Sequence, residues 1–154
     1  MLKMSKLTDY GTLVLSCLAA DPIRMQSASD VARHTHLALP TVSKLLKLMA
    51  RAGLVVSTRG ARGGYRLSRA PEEISAADVI DALEGPVAIT QCSGTVGHCQ
   101  LEDVCGVSSS WQKINLAIRR ALDEVRLPHL ADKEFSMPPI NLMGIPVTQE
   151  TDRR

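Results

Sequence analysis

The stretch from Leu54 to Leu67 most constrains what this chain can fold into. Leu54-Val55-Val56-Ser57-Thr58 and Tyr65-Arg66-Leu67 are runs of β-formers, and Arg59-Gly60-Ala61-Arg62-Gly63-Gly64 between them is half glycine. Branched and aromatic runs around a glycine-rich break predict a β-hairpin. Its tip carries two cations, Arg59 and Arg62.

Three helical patterns precede the hairpin. In the first, Tyr10, Leu13, Val14, Cys17 and Leu18 recur at three and four residues behind a Thr8 cap, and Asp21-Pro22 stops the run. Ser27 with Asp30 resembles a capping box opening a short helix through Val31-Ala32-Arg33, with His34-Thr35-His36 as the turn. Pro40 suits a first helical position, and Val42, Leu45, Leu46 and Met49 then form an inward stripe that ends at Gly53. Thr41, Ser43, Lys44, Lys47 and Arg51 occupy the other face. Three helices followed by a basic hairpin is the order of a winged helix-turn-helix, whose third helix enters the major groove of DNA. The expected fold is mainly α with a small β-hairpin wing, residues 1–70 forming the DNA-binding domain. Pro40, Thr41, Ser43 and Lys44 are candidate base readers, and Lys47, Arg51, Arg59 and Arg62 candidate phosphate or minor-groove contacts.

Charge agrees with this division. The net charge is only +2, yet residues 1–70 hold eleven Lys and Arg against three Asp and Glu, a balance of +8, whereas residues 71–154 hold seven against thirteen, a balance of −6. A basic half suits a polyanion through phosphate neutralisation and counterion release. Aromatics at 3% disfavour a base-stacking surface for single strands, and duplex DNA remains open. No run approaches the length of a membrane span, and the start lacks the apolar region of a secretory leader, so the expected compartment is the cytoplasm. Phosphate-binding loops, zinc-hydrolase motifs and nucleophile elbows are missing, so no enzyme and no small-molecule substrate are expected.

Downstream of the hairpin, Ser75 and Asp78 form a second capping-box pattern, with Ile74 and Val79 as a hydrophobic staple and Gly85-Pro86 as the stop. From Trp111, the residues Ile114, Ile118, Ala121 and Val125 step by three and four along a helix that ends before Pro128. Pairing with a second copy would bury this stripe, which predicts a homodimer. Residues 71–130 are thus expected to carry a linker helix, a loop and a dimerisation helix, and residues 131–154 a largely disordered tail.

That loop holds Cys92, Cys99 and Cys105, three thiols in fourteen residues interleaved with Gly94, Gly97 and Gly106. Three cysteines cannot all pair, and a disulfide framework is disfavoured in a reducing compartment. Thiolates at this density suit an iron–sulfur cluster or zinc. Zinc is the lesser alternative, with His98 as a fourth ligand, because structural zinc sites use close cysteine pairs and the gaps here are six and five residues. Cys17, on the apolar face of the first helix, reads as a small core residue.

Taken together, Leu7-Thr8-Asp9-Tyr10-Gly11, Gly53-Leu54-Val55, Arg59 to Tyr65, and the three cysteines followed by Trp111 resemble the iron–sulfur winged-helix transcription regulators of the IscR/NsrR type. Among these, the SUF-system regulators of proteobacteria are the most similar, and the resemblance covers roughly residues 4–130. It implies a homodimeric repressor of iron–sulfur assembly (suf) genes that binds an imperfect palindrome and carries a 2Fe–2S or 4Fe–4S cluster on Cys92, Cys99 and Cys105. A nitric-oxide- or iron-responsive repressor is the alternative within the family. IscR-like members have a histidine three residues after the third cysteine, where this chain has Ser108. NsrR-like members use an aspartate of the partner subunit that corresponds to Asp9, so Asp9 is the first candidate for the remaining ligand, ahead of Ser108 or His98 and then of an exogenous thiol or water. From another class, an electron carrier would use the same thiolates without needing a basic wing.

Overall fold

The computed structural model describes residues 4–60, 62–90 and 107–131. Helix α1 spans Lys6–Ala19, α2 Ala28–Thr35 and α3 Leu39–Arg51; strands β1 (Val55–Thr58) and β2 (Gly64–Leu67) follow, then α4 (Ala76–Glu84), α5 (Ser108–Glu124) and α6 (Leu127–Ala131). Among the described residues the architecture is mainly helical, with one antiparallel hairpin. No helix among the described residues is long and apolar enough to cross a membrane.

Ser5, one turn before Thr8, caps α1, its hydroxyl accepting the Leu7 N–H at 3.1 Å. Either residue could cap, and a distant carboxylate decides. Glu84, at the end of α4, accepts the Ser5 N–H at 3.0 Å and also the Thr8 hydroxyl, so Thr8 is committed inside the helix. Helix α2 also runs farther than its sequence predicts. The Thr35 hydroxyl donates to the Val31 carbonyl at 2.7 Å, and the turn falls on His36, left-handed with φ 56°. In α3 the stripe Val42, Leu45, Leu46 and Met49 is buried, Pro40 stands in the first turn, and Gly53 beyond the end takes φ 77°.

The hairpin pairs Val55 with Leu67 and Thr58 with Gly64. It is also tied to the α1–α2 connection, because Gln26 and Tyr65 exchange two backbone hydrogen bonds of 2.9 and 2.8 Å. Gly64 permits that approach: a Cβ there would lie 2.6 Å from the Gln26 carbonyl oxygen. One buried cluster joins Val14, Leu18, Val31, Leu45 and Leu67 to Ile74, Val79 and Leu127. Helix α4 starts on the expected Ser75–Asp78 box, with Ile74 and Val79 buried behind it. Helix α5 stops at Glu124, so Val125 leaves the expected seam. The cause is a pairing of the chain after α5 with the chain before α4, in which Ala76 N–H donates to Val125 O and Leu127 N–H to Ile74 O, both at 2.8 Å. Pro128 then lies inside α6.

Candidate nucleic-acid interface and cysteine loop

Burying one side of α3 sets the other side outward. Pro40, Lys44, Lys47 and Arg51 are exposed, Thr41 and Ser43 half-buried. All but Thr41 line one shallow depression along the helix, together with Leu48. At the hairpin tip Arg59 and Arg62 are exposed. The ion pairs among the described residues are Arg33–Asp30, Arg69–Asp78, Arg119–Asp81 and Arg119–Asp123, so none engages a cation of α3 or the tip. Unneutralised cations beside small polar side chains can hold phosphates and reach base edges. Sequence reasoning passed over Arg66, exposed on β2 opposite Val56. Its signal was the period of two along the strand, which turns Arg66 outward when Leu67 is buried. Tyr65 packs against the core, in line with a role in seating the wing.

Asp9 stands exposed in the first turn of α1, where a carboxylate suits the helix dipole. Ser108 is the first residue of α5 and half-buried. Cys92, Cys99, Cys105 and His98 lie outside the described residues. Cys17 is half-buried against the core with its sulfur 3.8 Å from the Gln26 side-chain oxygen, and burial pushes its thiol pKa up, which disfavours the thiolate that metals need.

Side chains that periodicity did not single out hold the backbone leading to the cysteines. The Asp81 carboxylate accepts the Val87 N–H at 3.2 Å and two Arg119 bonds at 3.2 and 2.7 Å. Asn115, buried on α5, accepts the Ile89 N–H at 3.2 Å and donates to the Val87 carbonyl at 3.1 Å. Asn115 sits beside the apolar seam and carries no period of its own, so no sequence signal marks it.

Comparison with known proteins places this arrangement. The family model described as Rrf2, iron-dependent transcriptional regulator, matches residues 4–133. The Rrf2 protein of Nitratidesulfovibrio vulgaris is 30% identical over 94% of this chain and 96% of its own length. The HTH-type transcriptional regulator IscR of Aliivibrio salmonicida is 31% identical over 81% of this chain and 76% of its own. Among solved structures, CymR, the global cysteine regulator of B. subtilis, superposes with a TM-score of 0.64 at 31% identity, over 85% of this chain and 97% of that one. T. potens IscR gives 0.59 at 31% identity, over 82% and 84%.

Proposed function

This chain belongs to the Rrf2 family of transcriptional regulators, and from that premise we propose that it is a cytoplasmic homodimer that represses iron–sulfur assembly (suf) genes by binding an imperfect palindrome in duplex DNA. The observation that carries the reading is the outward side of α3, where Lys44, Lys47 and Arg51 stand exposed and outside every ion pair among the described residues. Residues 1–70 act as the reading head, with Pro40, Thr41, Ser43 and Lys44 toward bases and Lys47, Arg51, Arg59 and Arg62 toward the backbone or minor groove. Residues 71–130 carry the cysteine loop and the dimerisation helix.

The donor set suits an iron–sulfur cluster of either nuclearity. Cys92, Cys99 and Cys105 supply three thiolates, and the partner subunit's Asp9, on an exposed first turn, completes the set. When bound, such a cluster supplies an iron position sensitive to iron supply, oxygen and nitric oxide; a hard oxygen ligand makes that position exchangeable. Ser108 in place of a histidine, together with the exposed Asp9, favours a nitric-oxide-responsive repressor as the second reading.

Anaerobic reconstitution of the wild type, Cys99→Ala and Asp9→Ala, followed by sequencing of captured genomic fragments and gel shifts, tests the proposal. Loss of the visible absorption in Cys99→Ala and recovery of palindromes upstream of assembly genes are expected. Random fragments, or a colourless wild type, would refute it.

A further inference from the structure

Residues 87–89 connect α4 to the cysteine loop, and their backbone is held from both flanking helices. Asn115 is 7% exposed, and an amide buried on a helix costs free energy unless both its ends are bonded. Here both are. Its oxygen takes the Ile89 N–H and its nitrogen gives to the Val87 carbonyl, so the side chain grips one edge of the segment as a neighbouring β-strand would. The Asp81 carboxylate takes the Val87 N–H, and Arg119, four residues beyond Asn115 on α5, grips that carboxylate with two bonds. The three bonds engage the Val87 N–H and carbonyl and the Ile89 N–H, and a one-residue slip that brought Pro86 to the place of Val87 would leave the Asp81 carboxylate without its backbone donor, because proline has no N–H.

We propose that Asn115, with Asp81 and Arg119, is a positioning residue that sets where the chain enters the cysteine loop and so delivers Cys92 to the cluster. The inference rests on the reading that Cys92, Cys99 and Cys105 hold that cluster. Cys92 follows Ile89 by three residues in the sequence. An anchor three residues before a ligand shortens the reach of the chain that carries it when an iron bond opens, so the clasp slows cluster loss. It also carries any movement of the loop into α4 and α5.

The test uses the full-length protein and two separate readouts. In the cluster-free state, hydrogen exchange of the Ile89 amide should accelerate about five- to tenfold in Asn115→Ala, the amount one lost hydrogen bond supplies, whereas Asp81→Ala should accelerate Val87 instead. After anaerobic reconstitution with ferrous iron and sulfide, the visible circular dichroism of Asn115→Ala should change and its cluster should decay in air about tenfold faster. Asn115→Asp keeps the acceptor for Ile89 but loses the donor to Val87, and should fall between. Unchanged exchange in both alanine variants overturns the clasp. Faster exchange with unchanged dichroism and decay overturns the delivery of Cys92. If Asn115→Ala fails to fold, Asp81→Ala carries both readouts. A wild type that takes up no cluster refutes the cluster reading itself, which is seen before any variant is compared.

Discussion

Single residues decide where this chain bends and how its ends are tied. Gly64 has φ +154° and presses against the Gln26 carbonyl, so a methyl group there must push the wing away from the α1–α2 connection. Gly64→Ala should cost about 1–3 kcal/mol in urea unfolding and weaken operator binding, while far-ultraviolet dichroism stays helical. Wild-type affinity in that variant would show that the wing does not need this seat. The glycine was legible as part of a turn; the approach that demands it was not, because Gln26 belongs to another segment. Ser5 and Thr8 make the same point, since both have cap chemistry and only Glu84, 76 residues from Thr8, chooses between them. The Thr8 hydroxyl and the Ser5 N–H hold the Glu84 carboxyl below the usual range. A depressed carboxylate adds stability that is complete above about pH 4.3, where the unfolded chain ionises, and is lost as pH falls through the lower folded value. Glu84→Gln keeps an oxygen acceptor and removes the titration, so its melting temperature should fall less steeply than the wild type between about pH 5 and 3. Asp30 and Asp78 are also lowered but remain in both proteins, so they cancel in the comparison. Parallel melting curves across that range would remove Glu84 from the account.

At the scale of elements, the sequence was most informative where a periodic stripe coincided with a stop signal. Helix α3 has Pro40 in its first turn, four buried residues on one side and Gly53 beyond its end, and the structure keeps all three. Its outward face therefore followed from the inward one. Helix α5 was read less well, because its stripe continues to Val125 while backbone pairing with the segment before α4 ends the helix at Glu124. A long-range pairing leaves no local signal. The outward face of α3 divides by position along the helix. Lys44 lies in the first half of the helix with Ser43, whereas Lys47 and Arg51 lie toward its end. Lys44→Ala should alter preference among operator variants, and Lys47→Ala should weaken all of them alike, with the salt slope reduced by about one. Fluorescence anisotropy over an operator series at several salt concentrations separates the two. A Lys44→Ala protein that ranks every operator as the wild type does would reassign base reading to other positions.

For the whole molecule, the separation of charge and the exposed seam point the same way. The basic half contains α3 and the wing, the acidic half contains α5, and in the proposed dimer a joint through the acidic half would keep the two like-charged heads apart while each met its half-site. Within one chain, α5 packs against α4 and leaves Trp111 at 39% and Ile114 at 43% exposure, while Ile118 and Ala121 are half-buried. The helix and its stripe were legible from spacing, but the depth of each seam residue was not, because it depends on how α4 lies against α5. That depth determines which substitution tests the dimer. A charge at Ile118 would disturb packing within the chain as well as any partner, so a monomer produced that way could simply be a damaged fold. Ile114 is the more exposed in the isolated chain, so Ile114→Glu disturbs packing within that chain less than a charge at Ile118 and acts mainly on what a second copy would cover. Light scattering should then report a monomer whose helical dichroism matches the wild type. Binding to the full palindrome should fall by about 100-fold or more, because the second head no longer arrives already tethered, while affinity for a single half-site changes little. A dimer that persists in Ile114→Glu with full palindrome affinity would move the interface away from this seam.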